Sequence, residues 1–130
     1  MCERPSVLIV DDDGEVRCSL RNLLAASRFH VHLAATGCEA LDVLDQQRVD
    51  AVVIDLMMPR LDGIGVMHAL LARAEGERPR IILAMVARVT LYRSLAGLGV
   101  RCLPAFPFDA FAVADELARA FREGGERPRA

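Results

Sequence analysis

No long hydrophobic run is present in this chain of 130 residues. The longest clean apolar stretch, Ile81 to Ala87, is far shorter than the roughly 20 residues that a membrane-spanning helix needs. Basic clusters are missing too: the basic side chains are scattered and the net charge is -2, which argues against a direct nucleic-acid surface or a membrane surface. The opening residues MCERPS carry charge ahead of only four apolar residues, so no secretory signal is expected. Cys2, Cys18, Cys38 and Cys102 show neither a C-x-x-C spacing nor a neighbouring histidine pattern. Small buried thiols in a reducing cytoplasm are expected, rather than disulfides or zinc ligands. Aromatics are only 5% of the chain, while 53% is hydrophobic. That balance at this length suits one globular domain with its own core. No internal repeat is visible. Residues 123–130, EGGERPRA, read as a polar tail or the start of a linker, which leaves 6–122 as the domain.

Within that domain short apolar runs alternate with helical patterns. VLIV (7–10), AVVI (51–54) and IILAM (81–85) are continuous apolar runs, as strands covered on both faces require. HVHLA (30–34) and VRCLPA (100–105) are weaker strands, expected at the sheet margins. Val16, Leu20, Leu23 and Leu24 mark an amphipathic helix over about 14–27. Thr36 followed by Glu39 reads as a capping box opening a helix with Ala40, Leu41 and Leu44 inside. A third helix runs from Gly63 to Ala74 and a short fourth from Thr90 to Leu98, stopped by GLG. Asp109 caps a last helix whose inner face is Val113, Leu117 and Phe121. Five strands alternating with five helices imply a doubly wound α/β parallel sheet.

The chemistry concentrates where strands end. VLIVDDD sets Asp11, Asp12 and Asp13 side by side, and AVVID ends the third strand in Asp55. Like charges about 4 Å apart repel by roughly 4 kcal/mol near a protein surface. DDDG is good turn chemistry, so a solvated acidic turn is one reading. The other is a cup for a hard divalent cation: in open α/β sheets sites form at the carboxyl ends of the strands, and Mg²⁺ takes one or two carboxylates plus water and phosphate. Two acidic strand ends favour the cup. An EF-hand loop fails on acid spacing.

VLIVDDD, IDLMMPRLDG (54–63) and FPFD (106–109) together resemble the receiver domain of two-component response regulators, over residues 6–122. The resemblance implies a flavodoxin-like sheet of strand order 2-1-3-4-5. It implies Asp55 as phosphoacceptor, served by a histidine kinase or phosphotransfer protein. It also implies Mg²⁺ held by Asp12, Asp55 and the Met57 carbonyl directly and by Asp11 through water, with Asp13 left to cap a helix. An aspartate can attack a phosphoryl group while a metal neutralises charge on the transferring oxygens. Such a domain is regulatory rather than an enzyme in its own right. No P-loop and no Ser/Cys–His arrangement accompanies it, and His30, His32 and His68 stand singly.

Three family positions depart. Counting back from the proline motif, the hydroxyl-bearing position at the end of the fourth strand is Ala84, or with a small register shift Met85 or Val86. The lysine before proline becomes Phe106, and the aromatic of the fifth strand becomes Leu103. Loss of the lysine is expected to raise the carboxylate pKa values and to remove a charge-assisted partner of any acyl phosphate. Arg60 and Arg88 lie on loops from which they could substitute in part for the lysine, but solvated surface arginines are the favoured reading. These departures leave a second reading open, a pseudo-receiver that docks proteins without phosphorylation. Phe106 and Phe111 are the candidate docking residues, beside the fifth strand and last helix through which the family binds output partners or dimerises. The Phe106–Pro107 bond is expected to be cis, as the resemblance implies and as X–Pro bonds permit.

Overall fold

Aliphatic strands buried on both faces need helices above and below them, and the chain supplies both. The computed structural model describes residues 4–57, 63–105 and 107–124. Five parallel strands, β1 (Ser6–Val10), β2 (His30–Ala34), β3 (Ala51–Asp55), β4 (Ile81–Val86) and β5 (Arg101–Pro104), lie in the order β2-β1-β3-β4-β5. This is the order the resemblance implies. The interleaved helices are α1 (Gly14–Ala26), α2 (Gly37–Gln46), α3 (Gly63–Ala72), α4 (Val89–Ala96) and α5 (Ala110–Gly124).

Side chains alternate between two cores. On one face Val7, Ile9, Val53, Leu83 and Met85 pack with Leu20 and Leu24 of α1 and Val113 and Leu117 of α5. On the other, Leu8, Val10, Val52, Ile54, Ala84 and Val86 pack with Ala40 of α2, Met67 and Leu70 of α3 and Leu95 of α4. The strands β1, β3 and β4 are almost wholly buried, whereas β2 and β5 are partly open. That contrast matches the stronger and weaker apolar runs in the sequence.

Local chemistry sets the helix ends. Asp13 accepts from the Glu15 and Val16 N–H groups at 2.9 and 3.4 Å, Thr36 from the Glu39 N–H at 3.1 Å, and Asp109 from the Phe111 and Ala112 N–H groups at 3.0 and 3.2 Å. Each satisfies N–H groups that a first helical turn leaves orphaned. GLG does stop α4: Gly99 sits at φ 87°, and the Val100 N–H reaches the Leu95 carbonyl at 3.0 Å, a Schellman closure that favours glycine. The third helix ends at Ala72 and gives way to a 3₁₀ turn, Glu75–Glu77, two residues earlier than its pattern suggests. The cysteine expectation needs correcting: Cys18 and Cys38 are exposed and only Cys102 is partly buried. Cys18 and Cys38 occupy the outer faces of their helices, which the apolar stripes leave to solvent. Among the described residues no helix is long and apolar enough to cross a membrane.

Candidate functional site

β1 and β3 are neighbours, with Val10 opposite Ile54, so the next residues, Asp11 and Asp55, emerge side by side at the carboxyl edge. Asp11 stays tied to the sheet through its N–H, which donates to the Ala34 carbonyl at 3.1 Å. It is 0% exposed, and Asp55 is 7% exposed. The alternation along each strand turns both side chains toward the α1/α5 layer. Backbone N–H groups hold them there. Asp11 Oδ1 accepts from the Asp13 N–H at 2.9 Å, and Asp55 Oδ1 accepts from the Met57 N–H at 2.7 Å. Asp11 Oδ2 is buried with no hydrogen-bond partner. Asp12 is half-buried and Asp13, on its cap, is exposed.

Two buried carboxylates so close cannot both ionise freely. Burial is the main force pushing Asp11 up to about 6, helped by the charges of Asp55, Asp12 and Asp13 and opposed by the Asp13 N–H. Asp55 is raised as well, again first by burial, then by Asp12 and Asp13, with the Met57 N–H opposing. The neighbouring charges that raise these two groups are all carboxylates. An orphaned buried oxygen within an excess of negative charge suits a hard cation. The described residues do not form a ready-made group of three metal-holding side chains, so that fit rests on Asp11 and on the donor chemistry.

Two supports lay outside the sequence reading. Arg17, six residues after Asp11, donates from Nη1 to the Asp11 backbone carbonyl at 2.7 Å and so pins the acid turn from the first coil of α1. Gly63 opens α3 against the end of β3. A Cβ there would stand 2.9 Å from Leu56 Cδ2 and 3.2 Å from the Asp55 carbonyl, closer than packed atoms sit. The signal for Gly63 was its place in the D-G pair. An arginine one turn past the acids gives no comparable signal.

On the other side of Asp55 the register decides. Asp55 pairs with Met85, and Met85 pairs with Leu103, which makes one lateral row. Met85 is 1% exposed, and Leu103 is partly buried against the same core. Ala84 instead lies opposite Ile54 and faces the other core. Of Ala84, Met85 and Val86, it is therefore Met85 that stands beside Asp55. The strand also holds an X–Pro pair of its own, Leu103–Pro104, at its carboxyl end. Phe106, with its peptide bond to Pro107, lies outside the described residues, as does Arg60. Arg88 is exposed at the start of α4. Phe111 is 70% exposed, and Phe108 packs against the α1/α5 core.

A family model for the response regulator receiver domain matches residues 7–101. The response regulator MprA of Mycobacterium sp. (strain KMS) is 43% identical over 113 residues, 87% of this chain and 47% of that protein. MprA of Mycobacterium avium (strain 104) is 42% identical over the same length, 48% of that protein. The chain thus spans about half the length of the curated relatives it matches. Among solved structures, the non-phosphorylated HemR receiver domain from Leptospira biflexa superposes with a TM-score of 0.80 at 24% identity, covering 98% of this chain and 100% of that one. The chemotaxis response regulator CheY4 of Vibrio cholerae gives 0.76 at 24% identity, covering 90% and 98%. These two likenesses concern the fold alone.

Proposed function

Because the chain belongs to the response regulator receiver-domain family, we propose that it accepts a phosphoryl group on Asp55 from a histidine kinase or phosphotransfer protein. The observation that carries this is the pair of buried carboxylates, Asp11 and Asp55, at the ends of adjacent strands. Asp55 Oδ1 is engaged by the Met57 N–H, which leaves Oδ2 as the attacking oxygen. Burial of the acceptor keeps competing water away, and the raised pKa values reflect a site that awaits positive charge. Mg²⁺ suits it, and Asp11, Asp12, Asp55 and the Met57 carbonyl are the groups that would hold it. Such an ion would neutralise charge on the transferring oxygens. The domain acts as a regulatory acceptor in the cytoplasm, not as an enzyme. Its output passes to a partner, or to a second copy, through β5 and α5.

Loading and clearing are both slow in this reading. Met57, two residues after Asp55, and Val86, two after Ala84, cannot orient an attacking water. Such help is worth about 10²-fold or more. Intact-mass analysis after incubation with Mg²⁺ and acetyl phosphate tests the proposal. Wild type should gain one phosphoryl group and Asp55→Asn none; equal labelling of both would end it. A second reading, a docking module indifferent to phosphorylation, draws on the row Asp55–Met85–Leu103. That row offers a phosphoryl group neither a hydroxyl nor a cation.

A further inference from the structure

The other end of the sheet carries a cavity that the acid edge does not explain. It measures about 430 Å³ and lies between the end of α2 with its loop into β3 (residues 44–49) and the passage from α3 to β4 (residues 73 and 76–79). Both walls lead into strands, so the cavity opens at the amino edge, about 20 Å along β3 from Asp55. Leu44, Val49 and Pro79 form its apolar side, and the last two are buried. Arg48, Arg73 and Arg78 stand on its polar side. Arg73 is fixed in place, because its Nη2 meets Asp45 Oδ1 at 2.7 Å and so ties the end of α3 to α2. Arg78 is half-buried and Arg48 exposed. Among the described residues neither guanidinium has an ion pair or a hydrogen bond. Against these three cations the lining sets only Asp45, already paired, and Glu77. The cavity is thus locally positive in a chain of net charge -2.

We propose that this cavity binds a small organic diphosphate, of nucleoside diphosphate size, through Arg48, Arg73 and Arg78. A guanidinium presents parallel N–H donors in a planar fork that matches the oxygens of a phosphate. One phosphate satisfies one fork. Two joined phosphates engage both of the uncommitted forks, which come from separate loops, while Arg73 keeps donors beyond the one that Asp45 occupies. The organic part of the ligand lies on Leu44, Val49 and Pro79. Small-molecule sites enclose roughly 300–1,000 Å³ and pair an apolar lining with a few polar groups that fix orientation. A cavity of about 430 Å³ is at the lower end of that range, which suits one nucleotide and excludes larger cofactors. Asp45 and Glu77 beside the arginines repel an extended polyanion, so a short ligand fits and a nucleic-acid strand does not. Nothing in this inference depends on phosphorylation of Asp55, because the two sites lie at opposite ends of the strands.

Isothermal calorimetry tests it, at low salt and in EDTA so that no divalent cation bridges the ligand to the acid edge. ADP, pyrophosphate and phosphate are titrated into wild type, Arg48→Ala, Arg78→Ala, Arg78→Lys and Asp55→Asn. Thermal melts establish that each variant folds, and Arg78→Gln replaces Arg78→Ala if the latter does not. Wild type should bind ADP at millimolar concentration or below, pyrophosphate more weakly and phosphate weakest. Arg78→Ala should lose roughly tenfold or more in ADP affinity and Arg48→Ala somewhat less. Arg78→Lys should recover only part, since an ammonium keeps the charge and loses the fork. Asp55→Asn should bind as wild type does. Absence of ADP binding at millimolar concentration overturns the inference, as does binding that neither Arg48→Ala nor Arg78→Ala weakens. Weaker binding confined to Asp55→Asn places the anion at the acid edge and overturns it equally. Pyrophosphate binding as tight as that of ADP overturns the part assigned to Leu44, Val49 and Pro79.

Discussion

The carboxyl ends of β1 and β3 and those of β4 and β5 form one continuous sheet edge, but their chemistry differs in kind. The first half presents Asp11, Asp12 and Asp55, two of them buried. The second presents Met85, Val86, Leu103 and Pro104. Beneath the edge β1, β3 and β4 are buried along nearly their whole length and β5 only partly, and both halves pack on the same two aliphatic cores. The fold is therefore indifferent to what its edge displays. The acid half is retained against a cost, since burying an ionised carboxylate without a partner is unfavourable, and the backbone N–H groups of Asp13 and Met57 offset only part of it. The apolar half carries no such cost. The acid half thus holds its carboxylates at the expense of stability, and the apolar half does not.

The largest effect that can break this contrast is the pH response of the metal-free protein. Asp11 is raised from 3.8 to about 6, so the folded state binds its proton more tightly than the unfolded chain does. Its stabilising contribution is present in full below pH 3.8 and is lost as the pH rises through about 6. The loss amounts to about 3 kcal/mol, and Asp55 adds to it in the same direction. In EDTA, thermal melts should therefore show this contribution lost progressively between about pH 4 and pH 7. Mg²⁺ at millimolar concentration should raise the melting temperature strongly at pH 7.5 and little at pH 5, where protons compete for the carboxylates. Asp11→Asn should abolish most of the pH dependence. A Mg²⁺ response that persists unchanged in Asp55→Asn would show that the cation sits elsewhere.

How the two halves were legible in the sequence differs for the same physical reason. The acids announce themselves, because a run of carboxylates after a buried strand has few structural explanations, and Asp11, Asp12 and Asp55 could be read at once. Strand order followed from the alternation and from the family resemblance. The apolar half is silent: Ala84, Met85 and Val86 are equally good core residues, and only inter-strand register tells which one stands beside Asp55. Counting from a proline cannot choose among them, because it carries no inter-strand register. Exposure of Cys18 and Cys38 was misread from residue type alone.

A smaller effect isolates the support of the acid half. Arg17 meets the Asp11 carbonyl at 2.7 Å, and a hydrogen bond from a charged donor contributes about 1.5–3 kcal/mol. Because Arg17 is only partly buried, Arg17→Ala should lower stability by about 1 kcal/mol, the screened end of that range. It should also weaken Mg²⁺ binding several-fold by loosening the turn, with Arg17→Lys recovering part of both. Isothermal calorimetry decides the sign: tighter Mg²⁺ binding in Arg17→Ala would mean that the guanidinium acts as a competing charge rather than a pin.

The helix caps offer a matched pair across the two halves. Asp13→Ala and Asp109→Ala each remove two cap hydrogen bonds, a loss of about 1 kcal/mol. Asp13 also raises Asp11 and Asp55, so its removal relieves repulsion that Asp109 does not cause. Urea denaturation near pH 7 without divalent cation should show Asp13→Ala as the milder substitution. Saturating Mg²⁺ should bring the two together, and equal losses in its absence would show that the acid half is less strained than its burial implies.

The smallest effect lies at the far margin of the apolar half. Tyr92, 37% exposed on α4, donates its hydroxyl to the Cys102 carbonyl of β5 at 2.8 Å. Here the ring covers an edge strand whose outer polar groups would otherwise face water. Tyr92→Phe keeps the ring and loses only the hydrogen bond, and water can reach the freed carbonyl. The expected loss is therefore about 0.5 kcal/mol, the low end for a net hydrogen bond, read as a shift in urea midpoint at unchanged slope. Mg²⁺ affinity and the loading of Asp55 should be unaltered, because nothing polar connects this hydrogen bond to the carboxylates through Leu103 and Met85. A change in either would mean that the β4–β5 half transmits to the acceptor through its apolar packing, and the two halves would have to be treated as one coupled site.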